Sequence, residues 1–358
     1  MSHFHKVKIK DIRRETKNCV SIALDIPSEL KEKFAYKQGQ YVTLKLNIHG
    51  EELRRSYSAC SSPVADSDLR IAVKAVENGK ASTYLNNGIS IGQELEVMNP
   101  MGNFYVEMPA EKEQHFVAFA AGSGITPILS LLKTALAVND KNKFSLFYGN
   151  KSTDDIIFRQ ELNDLVVKYE SRLRVHHILS REKTADKLFE GRISPEKCLD
   201  LLLNFEEIQT ADSYFICGPF DMTMGLKDKL IEFGIAKEKV HFELFTTVEK
   251  EIEPVDDSAN DVKIATDTKM TIVLDGDETE LTIKANETVL DVALDAGLDA
   301  PYACTGGSCC TCRAKLMEGS VRMDVNYALT DQEVEDGYIL TCQSHPTSPK
   351  IVVDYDEP

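Results

Sequence analysis

A chain of 358 residues holds two or three domains, each with enough sequence for a buried core. Its formal net charge of −17 argues against a nucleic-acid partner, which calls for a basic face, and no apolar run reaches the ~18 residues of a membrane-spanning helix. The start, Met1-Ser-His-Phe-His-Lys6, lacks the apolar stretch of a signal peptide, and Cys19, Cys60, Cys198, Cys217 and Cys310 are scattered without framework spacing, which points to a reducing, cytoplasmic setting.

Residues 1–110 read as all-β. Short alternating segments such as Val7–Lys10, Cys19–Leu24, Tyr41–Leu46 and Leu69–Lys74, broken by turn residues, predict a small antiparallel β-barrel. One short helix is expected to start near Ser82, after Gly79. Arg55-Ser-Tyr57-Ser58 ends a predicted strand and offers a guanidinium for a phosphate, a flat ring for an aromatic system and a hydroxyl for a ring edge. Four polar residues at a strand end are more often simply solvated. Gly79-Lys80-Ala81-Ser82 presents backbone N–H groups at a helix start, suited to a pyrophosphate; the plain alternative is an ordinary turn and cap. Together they leave a flavin reading and a structural one equally open.

Residues 111–246 change pattern. Apolar strands at Phe116–Ala121, Phe144–Tyr148, Leu173–Leu179, Tyr214–Cys217 and Val240–Phe245 alternate with helical stretches at Ile128–Ala137, Ile156–Tyr169, Pro195–Leu203 and Asp221–Phe233, which predicts an α/β domain with a doubly wound parallel sheet. Gly122-Ser-Gly124-Ile-Thr126-Pro127 follows a buried strand and opens a helix, where a pyrophosphate can approach the backbone. A merely tight strand-to-helix turn is the alternative. Cys217-Gly218-Pro219 ends the fourth strand, and a small polarizable thiol there suits the edge of a nicotinamide or else a core position. Ser180-Arg181 ends the third strand, where a hydroxyl and a guanidinium fit a 2′-phosphate. His176-His177 alternates in and out on a strand and reads as structural.

Residues 247–268 are acidic, poor in large apolar groups and include Pro254, the composition of a linker. In residues 269–358, Thr271–Leu274, an Asp-Gly turn and Leu281–Lys284 predict a hairpin, Glu287 or Thr288 opens a helix that Gly297 ends, and Lys350–Tyr355 supplies a closing strand. Between helix and closing strand, Cys304, Cys309 and Cys312 follow a C-x4-C-x2-C spacing, with Cys342 further on. That is the arrangement of a plant-type 2Fe–2S centre, three thiolates from one loop and a fourth from elsewhere. A zinc site would show compact Cys pairs or Cys with nearby His, and Cys310 breaks the spacing and reads as a non-ligand. From Lys269 onward, 17 acidic against 6 basic side chains account for −11 of the total of −17. Such a field steers a redox module towards a basic patch, or simply keeps the chain soluble.

Taken in order, Arg55-Ser-Tyr57-Ser58, Gly79–Ser82, Gly122–Pro127, Cys217-Gly218-Pro219, Glu243-Leu-Phe245 and the cysteine loop resemble the ferredoxin–NADP(+) reductase superfamily carrying a C-terminal plant-type ferredoxin of β-grasp, α+β form. The resemblance covers essentially the whole chain. It implies FAD held by Arg55, Tyr57, Ser58 and Gly79–Ser82, with Tyr57 packed on the ring and Cys217 on the nicotinamide side as the residues nearest the chemistry. It further implies NADPH held by Gly122, Gly124, Thr126, Pro127, Ser180, Arg181, Cys217, Gly218 and Pro219, Phe245 at the end of the second domain, and a 2Fe–2S cluster on Cys304, Cys309, Cys312 and Cys342. The expected partner is an oxygenase component that accepts electrons, of di-iron, Rieske or steroid-hydroxylating type; FMN in place of FAD, and a non-catalytic redox sensor, are the alternatives.

Overall fold

The structure is a computed structural model and describes residues 4–245, 268–284 and 286–357. They form two compact units, one of Phe4–Pro100 with Phe104–Phe245, the other of the chain from Thr268 onward. The linker expected over 247–268 lies outside the described residues, except Thr268, which opens a strand.

The first unit begins with β1 (Phe4–Thr16), β2 (Cys19–Asp25), β3 (Tyr41–Ile48), β4 (Glu51–Ser58), β5 (Leu69–Lys74), α1 (Lys80–Asn87) and β6 (Glu94–Met98). The strands are antiparallel in the order β4-β3-β6-β1-β2-β5, and a bridge between Ala59 and Ile71 joins the end of β4 to β5 and closes the barrel. Side-chain alternation decides which face is inside. Val7 and Ile9 of β1 are buried with Val20, Ile22, Val42 and Leu44, while Lys6, Lys8 and Lys10 face water. The helix starts at Lys80, with Gly79 as its cap, and not at Ser82. The Ser82 hydroxyl accepts the Val76 N–H at 3.1 Å from inside the first turn, so the helix runs through it.

The same unit continues with β7 (His115–Ala121), α2 (Ile125–Val138), β8 (Lys143–Asn150), α3 (Arg159–Tyr169), β9 (Leu173–Leu179), α4 (Pro195–Asn204), β10 (Ser213–Gly218), α5 (Phe220–Glu232) and β11 (Val240–Leu244). All five strands are parallel, in the order β11-β10-β7-β8-β9. Phe116 to Ala120 are buried without a break, as the centre of a sheet covered on both faces requires. The helix expected from Ile156 begins only at Arg159, because Phe158 takes a left-handed backbone (φ 61°) while Ile157 and Phe158 fill the core. From β7 the chain steps outward to β8 and β9, then returns to β10 on the other side of β7. Strand order therefore reverses between β7 and β10, and the crevice beyond their carboxyl ends is where such a sheet takes a ligand.

Barrel and sheet are locked together. Lys133 on α2, almost wholly buried, pairs with Asp66 of the barrel at 2.6 Å and with Glu161 of α3 at 2.7 Å. Ser130 donates to the Ser61 carbonyl at 2.5 Å, and the Ser62 and Thr134 hydroxyls share a hydrogen bond of 2.8 Å.

The second unit contains β12 (Thr268–Leu274), β13 (Asp277–Ile283), α6 (Val289–Asp295), β14 (Arg313–Glu318), β15 (Val321–Met323), α7 (Asp331–Glu335), β16 (Tyr338–Leu340), β17 (Ser344–Pro346) and β18 (Lys350–Asp354). Asp275 and Gly276, with φ of 57° and 83°, make the two-residue hairpin turn between β12 and β13. The sheet runs β13-β12-β18-β14-β16, with the closing strand β18 parallel to β12. Val289, Leu290 and Ala293 of α6 pack into its core. Hairpin, helix and late parallel strand make the expected β-grasp layout.

A β-carbon on Gly124 would lie 2.0 Å from the Cys217 carbonyl oxygen. Backbone cannot yield as a side chain does, so Gly124→Ala should cost about 1–3 kcal/mol or more and lower the thermal midpoint by several degrees, followed by circular dichroism. An unchanged midpoint would mean that the turn relaxes freely.

Candidate functional site

The carboxyl ends of β7 and β10 carry two turns that interlock. Gly122 has φ of 55°, and Gly124 leaves the room that the Cys217 carbonyl fills. On the other turn, a β-carbon on Gly218 would meet Met222 at 2.5 Å and Ala121 at 3.2 Å. Backbone blocks any side chain at Gly124, whereas at Gly218 the nearest atom is the movable end of Met222. Tyr148 donates from its hydroxyl to the Gly122 carbonyl at 2.9 Å, and Thr126 donates to the Ser123 carbonyl at 3.0 Å. Thr126 and Pro127 are buried in the first turn of α2, so their side chains shape the turn from within, and its open part is Gly122 and Ser123. Pro219 stands as the cap before α5.

Strand pairing sets Cys217 directly beside Glu243 of β11. From the barrel, the Ser58 hydroxyl at the end of β4 donates to Glu243 Oε2 at 3.1 Å. Burial lifts the Glu243 carboxyl from 4.5 to about 8, even against the Ser58 hydrogen bond. Burial, and then the nearby Glu243, push the Cys217 thiol well above its ordinary range, so it is a neutral, fully buried SH. Ser58 and Cys217, picked out separately in the sequence, are thus joined by Glu243. Phe245, just past β11, is 38% exposed.

Strand alternation places Arg55 and Tyr57 on one face of β4 and Ser58 on the other. Arg55 is exposed; one of its N–H groups donates to the Arg54 carbonyl at 2.7 Å, which leaves the rest of the guanidinium facing outward. Tyr57 is half-buried against the barrel core. At the start of α1, Gly79 caps and Ala81 and Ser82 are buried, whereas the Lys80 ammonium pairs with the Glu51 carboxylate. These groups suit a flavin nucleotide: a cation, an aromatic face, and the first N–H groups of a helix.

Ser180 and Arg181 sit just beyond β9, their N–H groups donating to the Asn150 and Lys151 carbonyls at 2.9 and 2.8 Å. Arg181 is exposed, and its guanidinium has no partner among the described residues. The next residue, Glu182, is committed to Thr153, whose N–H donates to it at 2.7 Å. Lys74, at the end of β5, is a residue that sequence reasoning missed: its ammonium lies 3.3 Å from where a β-carbon on Gly122 would stand. It places a cation at the dinucleotide turn. His176 stacks between Phe147 and Phe189 and is structural.

The cysteine loop of the second unit leads into β14, and Cys342 sits in the turn between β16 and β17. Thr341 ties the two segments, its N–H and hydroxyl both donating to the Cys312 carbonyl, at 3.2 and 2.9 Å. All four thiols are free, and Cys304 acts electrostatically on Cys309 as Cys342 does on Cys312. Four cysteines on two neighbouring segments are the donor set that a plant-type 2Fe–2S cluster takes. The Cys309 contact, with donation from the Gly306 N–H and from Ser308, draws Cys304 down to about 5. Contact with Cys312, then Gln343 and the Gly307 N–H, lower Cys342. Donors aimed at sulfur are what a cluster carrying negative charge needs. Cys310 turns its thiol to the Ala328 carbonyl at 3.3 Å.

The Glu243 geometry has a consequence for stability. Its carboxyl stays protonated in the fold where the unfolded chain ionises, so stability present below about 4.5 is lost as pH rises to about 8. Across that window the thermal midpoint of Glu243→Gln should fall less than that of the wild type; parallel curves would contradict the burial of this carboxyl.

Three family models match in succession: an oxidoreductase FAD-binding domain over residues 6–105, an oxidoreductase NAD-binding domain over 119–228 and a 2Fe-2S iron-sulfur cluster binding domain over 272–347. The chain is 38% identical over 358 residues to a subunit of the 1,2-phenylacetyl-CoA epoxidase of Escherichia coli (strain K12), with 99% of each chain covered. It is 32% identical over 352 residues to the ferredoxin reductase component of 3-ketosteroid-9-alpha-monooxygenase from Rhodococcus rhodochrous, covering 97% of this chain and 95% of that one. Phthalate dioxygenase reductase, described as a modular structure for electron transfer from pyridine nucleotides to a 2Fe-2S centre, matches with a TM-score of 0.60 and 25% identity over 98% of both chains. The chain belongs to the ferredoxin-reductase-type electron-transfer proteins that join FAD-binding, NAD-binding and 2Fe–2S domains in one polypeptide and carry electrons from NAD(P)H.

Proposed function

We propose that this chain is the reductase of a phenylacetyl-CoA epoxidase-type oxygenase, that it works in the cytoplasm, and that it draws on NADPH. The observation that carries the choice of partner is the 38% identity to the epoxidase component, which runs through 99% of both chains. The acidic C-terminal part, with −11 of the net −17, then favours a basic face on the oxygenase. When bound, the flavin supplies the step from paired to single electrons and the cluster relays them onward. The chain's own residues bind and orient. Gly122, Gly124, Gly218 and Lys74 shape and charge the nucleotide turn, Arg55, Tyr57 and Gly79–Ser82 hold the flavin, and Cys217 with the Ser58–Glu243 pair lines the buried ground where the two domains meet. Cys304, Cys309, Cys312 and Cys342 ligate the cluster. Electron delivery to the purified epoxidase, measured as product formed per NADPH, tests the partner. Turnover with a steroid-hydroxylating oxygenase and none with the epoxidase would overturn it.

Any one of Cys304, Cys309, Cys312 or Cys342 changed to Ser should lose or cripple the cluster, read as iron per chain and visible absorbance, while Cys310→Ser should keep it. Iron lost from the Cys310 variant, or retained in full by one of the other four, would overturn the ligand set.

Coenzyme preference rests on Arg181, whose exposed guanidinium stands unpaired among the described residues where a doubly wound sheet places the adenosine ribose. Charge-assisted, paired bonds to a 2′-phosphate are lost in Arg181→Ala. NADPH should lose on the order of ten- to hundredfold in kcat/KM, mainly through KM, and NADH almost nothing. A wild type that prefers NADH, or equal loss with both coenzymes, would refute the assignment.

A further inference from the structure

The residue after the fourth cysteine, Gln343, is polar, nearly buried and beside the Cys342 sulfur. Its side-chain Nε2 lies 2.8 Å from the Cys342 carbonyl oxygen, 3.1 Å from the Thr305 carbonyl oxygen and 3.5 Å from the Cys342 sulfur. All three neighbours are acceptors. Turning the carboxamide round would set its oxygen against two carbonyls and a thiolate, so the NH2 end must face them. Two N–H groups then serve three acceptors, and a sulfur that gains negative charge takes a larger share.

The side chain is held in place from several directions. Its own carbonyl accepts the Asp324 N–H at 2.9 Å. A β-carbon on Gly307 would lie 3.3 Å from Gln343 Cγ, so the aliphatic stem runs past a residue that has none. Its bond to Thr305 spans from the Cys342 turn to the cysteine loop, at a non-glycine residue with φ of 53°. That strained residue directly precedes Gly306 and Gly307, whose N–H groups are directed at Cys304 and Cys342. Gln343 therefore acts on the cysteine site twice: by donating to a ligand sulfur itself, and by anchoring the turn that presents backbone donors.

We propose that Gln343 is a positioning and tuning residue for the iron–sulfur centre, its carboxamide N–H favouring the reduced state through the Cys342 sulfur and the Thr305 turn. The proposal rests on the reading of Cys342 as a ligand. Hydrogen bonds to cluster sulfurs raise the reduction potential because added negative charge strengthens them. Reduction adds one electron to the cluster, and the carboxamide keeps its protons in both states. Its length and its donor end are thus both functional, which a hydrophobic residue of equal size would not reproduce.

Full-length, cluster-loaded protein tests this in Gln343→Met, which keeps the length and removes both N–H groups, and in Gln343→Glu, which keeps the shape and replaces donors by an acceptor. The readouts are iron per chain and the midpoint potential from an absorbance- and EPR-monitored dye titration. Iron content should match the wild type, and Gln343→Met should reduce the one-electron reduction constant about tenfold, a shift of ~59 mV. Gln343→Glu should shift it further the same way. Unchanged or higher potentials with full iron would overturn the proposal. Loss of iron from both variants in an otherwise folded chain would also overturn it, making the residue a structural prop. Full iron in Cys342→Ser would strike at the ligand reading instead, and with it the proposal.

Discussion

One apolar core, shared by barrel and parallel sheet, is the constraint from which the chemistry of the first unit follows. Cys19, Cys60, Ala72 and Phe104 pack with Phe116, Ala118, Ile128 and Phe215 in a single cluster. Phe104 meets Phe215 edge-on at 5.5 Å between ring centres. Beside this shared cluster the end of β4 meets β11, with the Ser58 hydroxyl on Glu243. The buried Lys133 bridge adds registration more than stability. Desolvating the ammonium offsets much of its attraction to the two carboxylates, and losing either carboxylate leaves Lys133 paired with the other. Dispersion and burial hold the two domains together; the ion triad fixes their alignment.

Charge is managed differently at the strand ends around Cys217 and in the cysteine loop. Around Cys217 and Glu243 burial suppresses ionisation, leaving a neutral thiol and a carboxyl poised at about 8. A nicotinamide seated there, as proposed, would face a neutral thiol and, below about pH 8, a neutral carboxyl. Around the cysteine loop the two members of each touching pair part: contact with its partner and nearby N–H donors draw Cys304 and Cys342 down, while the same contacts and burial push Cys309 and Cys312 up.

Much of this was legible in the sequence because its signals are local. Period-two alternation marked the barrel strands, unbroken apolar runs marked the central parallel strands, and the cysteine spacing marked the cluster loop. Helix starts were less legible: Ser82 resembled a cap, yet its hydroxyl serves the preceding turn, and Ile156-Ile157 looked helical, although Phe158 breaks the run with a left-handed backbone. Glu243 escaped as a functional group because one acid in a short strand carries no pattern. Its meaning comes from register with Cys217 across two parallel strands and from Ser58, which is 185 residues away in sequence. An acid within an otherwise apolar strand beside a cysteine turn was the available clue. Lys74 likewise acquires its place only through a neighbour distant in sequence, and Gln343 gains its second anchor from the distant Thr305.

Under the proposed function a bound flavin would accept the hydride first and a bound cluster would receive single electrons after it. Anaerobic rapid mixing of the loaded protein with one equivalent of NADPH, followed by visible absorbance and freeze-quench EPR, measures this order directly. Flavin absorbance should be lost promptly, and the signal of a reduced 2Fe–2S cluster should follow. Cluster reduction without a preceding flavin phase, or flavin reduction that never reaches the cluster, would contradict it.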